Sequence, residues 1–191
     1  MIAKLHEIAD IKTGITFRNR LLDNIQGDVE VIQMKDVGPD CIISDRLMRV
    51  SGDLVKEKHL LQPGNIILLA KGRYTRACLI TDLSRRWVVS SAFFSLRVKN
   101  SQRVLPSYLQ WYLNLPLAEQ YFRTQASGTS MFSLPMSVLK NLDVPVPSPV
   151  IQQQVVKIIE TRQQERVTLQ LMEDKRDEFI RELLLEQIGK N

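Results

Sequence analysis

Residues 69–76, Leu-Ala-Lys-Gly-Arg-Tyr-Thr-Arg, carry side chains that can bind a nucleic acid. The segment leaves an apolar run, turns at Gly72 and places cations and an aromatic ring around that turn. An arginine can donate a fork of hydrogen bonds to guanine, lysine and tyrosine can hold phosphates, and such a loop can enter a groove. An ordinary hairpin also exposes Lys and Arg, so both interpretations stay open.

Positive charge is concentrated in one block of the chain. Residues 71–103 hold eight Lys or Arg against one Asp, residues 1–70 hold nine against ten acidic residues, and the whole chain carries +5. A polyanion-binding face needs such a block, because each neutralised phosphate releases condensed counterions. The alternative is the solvated surface of an ordinary basic protein.

Further candidates lie outside this hairpin. The polar run 124–130 is rich in hydrogen-bonding groups, and it either meets a phosphate backbone or only links a helix to a loop. The complete set of candidate nucleic-acid-binding residues is Lys12, Arg18, Lys35, Lys71, Arg73, Tyr74, Arg76, Arg85, Arg86, Ser127, Gly128, Thr129 and Ser130.

The sequence contains no recognisable catalytic or metal-binding motif. His6 and His59 have no Cys or His at metal-ligand spacing, so we interpret them as surface or structural residues. Asn114 opens Asn-Leu-Pro-Leu, which lacks the adjacent prolines and the aromatic residue of the amino-methyltransferase signature and is interpreted as a helix junction. Residues 173–175 fit a nuclease Glu-x-Lys pattern only within a charged helix. We predict a chain that binds without catalysing and holds no metal or cofactor of its own.

A mixed α+β domain, residues 1–148, is predicted to position these candidates. Short runs rich in Val, Ile and Phe between turn signals predict a short-stranded sheet with strands at 29–34, 41–43, 66–70, 77–80, 87–89 and 93–98. Helical spacing follows at 106–113 and 117–122, and Pro106 and Pro116 suit first-turn positions.

Residues 149–191 are predicted to form one long C-terminal α-helix. Residues 150–188 contain neither Pro nor Gly, which indicates a helix of roughly 55–60 Å, with Ser148 as N-cap and Gly189 after its end. The helix either packs along its own domain or forms a coiled coil with a second copy or another subunit. Its length and polar middle favour the coiled coil. The a/d-like apolar positions are Val155, Ile158, Leu169, Met172, Phe179 and Leu183.

Cysteine usage and hydropathy predict a cytoplasmic protein. Cys41 and Cys78 lie far apart in sequence within apolar runs, so we expect buried free thiols, no disulfide and a reducing compartment. The N-terminus has no signal-peptide pattern and the apolar runs are too short to cross a bilayer, so no membrane partner is expected.

The order of several short motifs resembles the specificity (S) subunits of type I restriction-modification systems. Residues 5–14, Leu-His-Glu-Ile-Ala-Asp-Ile-Lys-Thr-Gly, are similar to the opening of a target-recognition domain in that family. Residues 31–37 and 61–68 are similar to its internal strings, and residues 126–130, 139–147 and 152–154 to the end of the domain and the start of its conserved helix. Each string is short, but together they span nearly the whole chain.

The resemblance implies a DNA sequence-specificity function that composition alone does not supply. In this family, modification subunits bind S-adenosylmethionine and methylate adenine, and a restriction subunit cleaves. A full-length S subunit has two recognition domains, and their helices pair antiparallel. This chain has one domain and one helix, so we expect a half-length form that pairs with a second copy and reads an interrupted palindrome. A truncated gene product, pairing with a different S chain, a nucleic-acid binder without specificity, and a helical adaptor without sequence-specific DNA binding remain alternatives.

Overall fold

The computed structural model describes residues 1–17, 23–38, 41, 43–72, 75–81, 85–125 and 132–189. The chain divides into two compact units, Met1–Gln152 and Gln153–Asn191. The first unit is a mixed α+β domain and the second is the greater part of one long helix, so the predicted α+β class is confirmed.

An antiparallel sheet forms the centre of the first unit. Its strand order in the described residues is β2 (Ala9–Thr13), β9 (Phe93–Val98), β5 (Asn65–Leu69) and β7 (Arg76–Leu79). Every residue of β5 is buried, because both faces of the sheet are covered. Ile66 and Leu68 enter one hydrophobic cluster, and Ile67 and Leu69 enter another on the opposite face.

Helices cover one face of this sheet. They are α2 (Pro106–Leu113), α3 (Pro116–Gln125) and α4 (Met136–Lys140), and their buried residues include Leu109, Phe122 and Leu139. Proline stands at the first turn of α2, as predicted. The buried tyrosines of α2 keep their hydroxyls paired, since Tyr108 donates to the Pro145 oxygen at 2.9 Å and Tyr112 to the Asp143 oxygen at 2.8 Å. Burial raises the pKa of both phenols.

A smaller sheet lies on the other side of the domain. In it β3 (Val29–Ile32) pairs antiparallel with β4 (Met48–Val50) and parallel with β8 (Arg86–Val89). Val29, Val31, Val50 and Val88 form its own apolar cluster. Three-residue 3₁₀ turns at Met34–Asp36, Gly52–Leu54 and Glu57–His59 connect these strands to the rest of the domain.

Short pairings close the domain. The N-terminal strand β1 (Ile2–Lys4) leads into α1 (Leu5–Ile8) and pairs antiparallel with β11 (Asp143–Pro145), and β6 (Lys71–Gly72) pairs with β10 (Phe132–Ser133). Lys4 Nζ lies 2.8 Å from the Asp143 carboxylate, and this hydrogen bond raises the pKa of Lys4. The two ends of the domain sequence are therefore joined by backbone pairing.

The last helix, α5 (Pro149–Gly189), has 41 residues, so the predicted long helix is confirmed. At 1.5 Å per residue it extends about 60 Å. Within the described residues, no helix has the length and apolarity that spanning a membrane requires.

Two expectations about the cysteine segments are wrong. Residues 41–43 were predicted as a strand, but Cys41 lies in a bend with φ of +60° and Ile43 forms only an isolated bridge with Val37. Cys41 and Cys78 were predicted as free thiols, yet a disulfide joins them, with their Cα atoms 5.3 Å apart. The fold brings the segment before β4 onto β7 across a separation of 37 residues, which neither apolar run reveals. Cysteine usage therefore no longer supports a reducing compartment.

Candidate nucleic-acid interface

The hairpin between β5 and β7 is held by a strand from the C-terminal part of the domain. Gly72 stands opposite Phe132 and Lys71 opposite Ser133, and the Leu134 amide donates to the Ala70 oxygen at 2.8 Å. The predicted turn at residues 71–72 is thus a short paired strand. Because β10 follows residues 126–131 directly, the chain leaving the polar run 124–130 meets the basic hairpin.

The 3₁₀ turn that carries Lys35 lies against the same hairpin. Gly72 adopts a φ of +127°, and a Cβ atom built on it would stand 3.1 Å from Met34 Sδ. The turn itself is fixed by buried Asp36, whose carboxylate accepts a hydrogen bond from the Gln33 amide at 2.8 Å. Lys35 and Lys71 are both exposed. The structure therefore places the Lys35 turn beside the hairpin, two segments that the sequence patterns indicated separately. We call the surface that they form the reading surface, and its residues are Lys35, Lys71, Gly72, Phe132 and Ser133.

Arg76 stands at the base of the hairpin. It begins β7 opposite Leu69 and is half-buried. The next residue, Ala77, is held by side chains at the end of α2. Its amide donates to Asn114 Oδ1 at 2.9 Å. Its oxygen accepts from Asn114 Nδ2 at 2.7 Å and from Gln110 Nε2 at 3.0 Å. Asn114 also follows the last residue of α2, so its interpretation as a helix junction is confirmed.

Arg85 and Arg86 lie at the other end of the smaller sheet. Because β3 and β8 are parallel, Arg86 stands opposite Val29 at the start of β3, whereas Lys35 follows the end of that strand. Arg85 Nη1 lies 3.2 Å from Glu30 Oε1. Arg86 contacts the Asp28 carboxylate and lies 3.3 Å from Glu57 Oε1.

The surroundings of Arg85 and Arg86 are electrostatically mixed. They line an open cleft of about 770 Å³ together with carboxylates and further arginines. A hydrogen bond from the Gly52 amide, with the guanidinium of Arg86, holds the pKa of Asp28 below its ordinary value. Both arginines are engaged by carboxylates, so a phosphate would have to displace these partners.

Lys12 belongs to a further group of cations. It stands opposite Ser95 in the β2–β9 register, and its Nζ donates to the Lys58 oxygen at 3.3 Å. Lys58, His59 and Arg97 lie near it and were not among the predicted site residues. The sequence signal for Lys58 and His59 was the charged run at residues 56–59, but only the fold shows that this run meets β2 and Arg97.

The remaining predicted site residues lie outside the described residues. These are Arg18, Arg73, Tyr74, Ser127, Gly128, Thr129 and Ser130. Among the residues that are described, no group of His, Cys, Asp and Glu has an arrangement that could hold a metal ion.

The long helix exposes large apolar side chains. Five of the six predicted seam residues are exposed, with exposed fractions from 45% for Leu183 to 69% for Ile158. The seam positions are half-buried Val155 and exposed Ile158, Leu169, Met172, Phe179 and Leu183. Side chains of this size at three- and four-residue spacing are typical of a helix that packs against a partner helix.

An α+β domain with exposed lysines around a braced hairpin has a basic surface of the kind that is typical of nucleic-acid-binding proteins. The chain belongs to the family described as the type I restriction modification DNA specificity domain, whose sequence model matches residues 1–178. The resemblance found from the short motifs is thereby confirmed.

Solved structures share this fold at low sequence identity. The S subunit of a type I restriction-modification system from M. genitalium is 15% identical with a TM-score of 0.59, and the match covers 84% of this chain and 38% of that chain. The HsdS subunit from Thermoanaerobacter tengcongensis is 17% identical with a TM-score of 0.64, covering 89% and 38%. A chain from a study of complex assembly and conformational transition in the type I system is 16% identical with a TM-score of 0.65, covering 88% and 39%.

This chain therefore spans less than two fifths of the length of these solved chains. No curated protein sequence matches it.

Proposed function

We propose that this chain supplies the DNA sequence specificity of a type I restriction-modification complex. Partner subunits would carry the chemistry: a methyltransferase subunit that binds S-adenosylmethionine and methylates adenine, and in some assemblies a restriction subunit. The chain itself would contribute no catalysis and no cofactor. Because the DNA that it would bind is the host chromosome, we place it in the cytoplasm.

The observation that carries this proposal is the convergence of Lys35 and Lys71 on one surface in a DNA specificity family. The hairpin is braced by β10 on one side and by Asn114 at its base. A braced loop enters a groove with less loss of conformational entropy than a free one, which favours discrimination between base edges. Lys35 and Lys71 would hold phosphates of the DNA backbone.

Duplex DNA binding measured across salt concentrations tests the proposal. The wild-type chain should lose affinity steeply with salt, and Lys71→Ala should lower the slope of log K against log salt by about 0.9. Lys140→Ala, which removes an exposed lysine on α4, should leave the slope unchanged. A helical adaptor without DNA binding, the alternative function, would show no salt-dependent binding at all.

Co-purification tests the role within a complex. A methyltransferase subunit encoded beside this chain should co-purify with it, and the pair should bind DNA more tightly than the chain alone. Failure of the two proteins to associate at micromolar concentration would contradict the proposed partnership.

We propose further that two copies of the chain pair through antiparallel α5 helices. The pairing would cover the exposed seam from Val155 to Leu183 and give one complex two recognition domains. Sedimentation should show a dimer at tens of micromolar. Leu169→Asp with Met172→Asp places charge on the seam and should give monomers, whereas Gln163→Asp adds charge off the seam and should not. A wild-type monomer with an intact helix would contradict the pairing.

A further inference from the structure

A small basic cleft opens beside β2, between that strand and the 3₁₀ turn Glu57–His59. Its volume is about 130 Å³, roughly tenfold what one water molecule requires, so it admits a phosphate group. We call it the β2 cleft. Its lining includes the cations Lys12, Lys58 and Arg97, the imidazole of His59, and the carboxylates of Asp10 and Glu57.

The sheet register places these cations together. Lys12 and Asp10 lie two residues apart on β2 and so share one face of the sheet. Arg97 and Ser95 stand opposite them on β9 and share that face. The hydrogen bond from Lys12 Nζ to the Lys58 oxygen, at 3.3 Å, draws the turn onto the strand.

The cations of the β2 cleft differ from Arg85 and Arg86 in their partners. Among the described residues, no carboxylate lies within ion-pair distance of Lys12, Lys58 or Arg97. Glu57 lines the cleft, but one of its oxygens lies 3.3 Å from Arg86. Their charge is therefore available to an anion from outside the chain.

His59 reports the electrostatic character of the β2 cleft. Partial burial lowers its pKa from the ordinary value, and the positive charges of Lys58, Lys12 and Lys56 lower it further. Glu57 and Asp10 line the same cleft. A bound anion would stabilise the imidazolium, so anion binding and protonation of His59 should favour each other.

We propose that the β2 cleft binds a phosphodiester of the DNA backbone, as an anchoring contact beside the reading surface. This inference rests on the proposed function. Ile15, which lines the cleft, forms a bridge with Ser90, and the Ser90 amide donates to the Ile32 oxygen at the end of β3. The backbone at the cleft is therefore two strand spacings, about 10 Å, from the end of β3. The chain leaving β3 leads directly into the Lys35 turn, so one duplex can touch both places.

Two consequences distinguish this contact from base reading. The cleft would hold only phosphate, so it should act equally on every DNA sequence. Because the neutral form of His59 is favoured in the free protein, DNA should raise its pKa and affinity should increase as the pH falls. Each unit by which DNA raises that pKa corresponds to a tenfold gain in affinity between high and low pH.

The test uses the full-length chain and a short mixed-sequence DNA duplex. Lys58→Ala should lower the salt slope by about 0.9 on all sequences, and His59→Gln should flatten the pH dependence of binding. Lys140→Ala is the matched lysine control. In NMR spectra the ring resonances of His59 should move on adding the duplex, while those of His6, whose ring nitrogen lies 2.9 Å from the Lys140 oxygen, should not.

The outcomes separate this inference from the proposed function. In one outcome the wild type binds DNA in a salt-dependent way, Lys58→Ala has the same salt slope, and the His59 ring resonances do not shift. That outcome would overturn the anchoring contact and leave the specificity function standing. Absence of any salt-dependent binding by the wild type would overturn the proposed function and the contact with it.

Discussion

Gln152 shows how one buried polar side chain fixes the place where the long helix begins. Its side chain is fully buried, and its Oε1 accepts from the Leu105 amide at 2.9 Å. Its Nε2 donates to the Arg103 and Pro147 oxygens, each at 2.9 Å. One buried amide thus pairs with three backbone groups, and its own polar atoms are satisfied in return.

Gln152→Ala should lower the free energy of unfolding by about 2–4 kcal/mol, since it leaves these backbone groups unsatisfied. Urea denaturation with a fluorescence readout measures the change. Gln153→Ala is the matched control, because Gln153 is exposed on the same helix and its loss should change stability by less than about 0.5 kcal/mol. Equal stability of the two variants would show that the network contributes little.

At the residue scale, the sequence showed where cations concentrate but not which of them have carboxylate partners. Lys35 and Lys71 stood out by charge and do share a surface. Arg85 and Arg86 stood out equally, but their carboxylate partners come from Asp28, Glu30 and Glu57, which are distant in sequence. Such ion pairs depend on the register of β3 and β8, and no local pattern encodes that register.

Among the elements, the hairpin with β6 depends on Gly72 more than its sequence suggested. A φ of +127° is open to glycine and strained for other residues, and a Cβ atom on Gly72 would lie in a tight contact, 3.1 Å from Met34 Sδ. Gly72→Ala should therefore destabilise the domain by about 1–3 kcal/mol and weaken DNA binding, because the strained backbone beside Lys71 and the Met34 side chain of the Lys35 turn must both adjust.

Gly64→Ala separates backbone strain from this packing effect. Gly64 also has a positive φ, +83°, but no atom lies within 4 Å of the position its Cβ would take. We expect a loss of about 1 kcal/mol in urea denaturation and unchanged DNA affinity. Equal DNA affinity of the Gly64 and Gly72 variants would contradict the role assigned to the hairpin.

Elements with strong local signals were predictable, and those made by distant pairing were not. The run in β5 is apolar throughout because both of its faces are buried, and α2, α3 and α5 follow their proline and periodicity signals. The short strands β1, β6, β10 and β11 have two or three residues each, and they exist only because β1 meets β11 and β6 meets β10. A strand of that length has no period to detect.

For the whole molecule, the sequence predicted the long helix but not the partner that packs against it. Seam residues such as Phe179 and Leu183 stay exposed in the single chain. Burying an apolar side chain of this size contributes about 1.5–3 kcal/mol, so a partner helix that covers several of them gains substantial free energy. An identical helix offers the same spacing in the reverse direction, which is why we favour a second copy.

Two-fold symmetry would set the form of the DNA site. In an antiparallel pair, one axis relates two identical domains, so each reads the same half-site on opposite strands. In a host carrying only this chain and its methyltransferase, the methylated adenines should lie in a motif equal to its own reverse complement across an unread spacer. Sequencing of methylated genomic DNA measures this directly.

The seam variants complete that test. Leu169→Asp with Met172→Asp should abolish methylation at every such site, because a lone domain holds only one half-site, while Gln163→Asp should preserve the pattern. A motif with two different halves would contradict the symmetric pair, since two different half-sites require two different recognition domains, one of them from another chain.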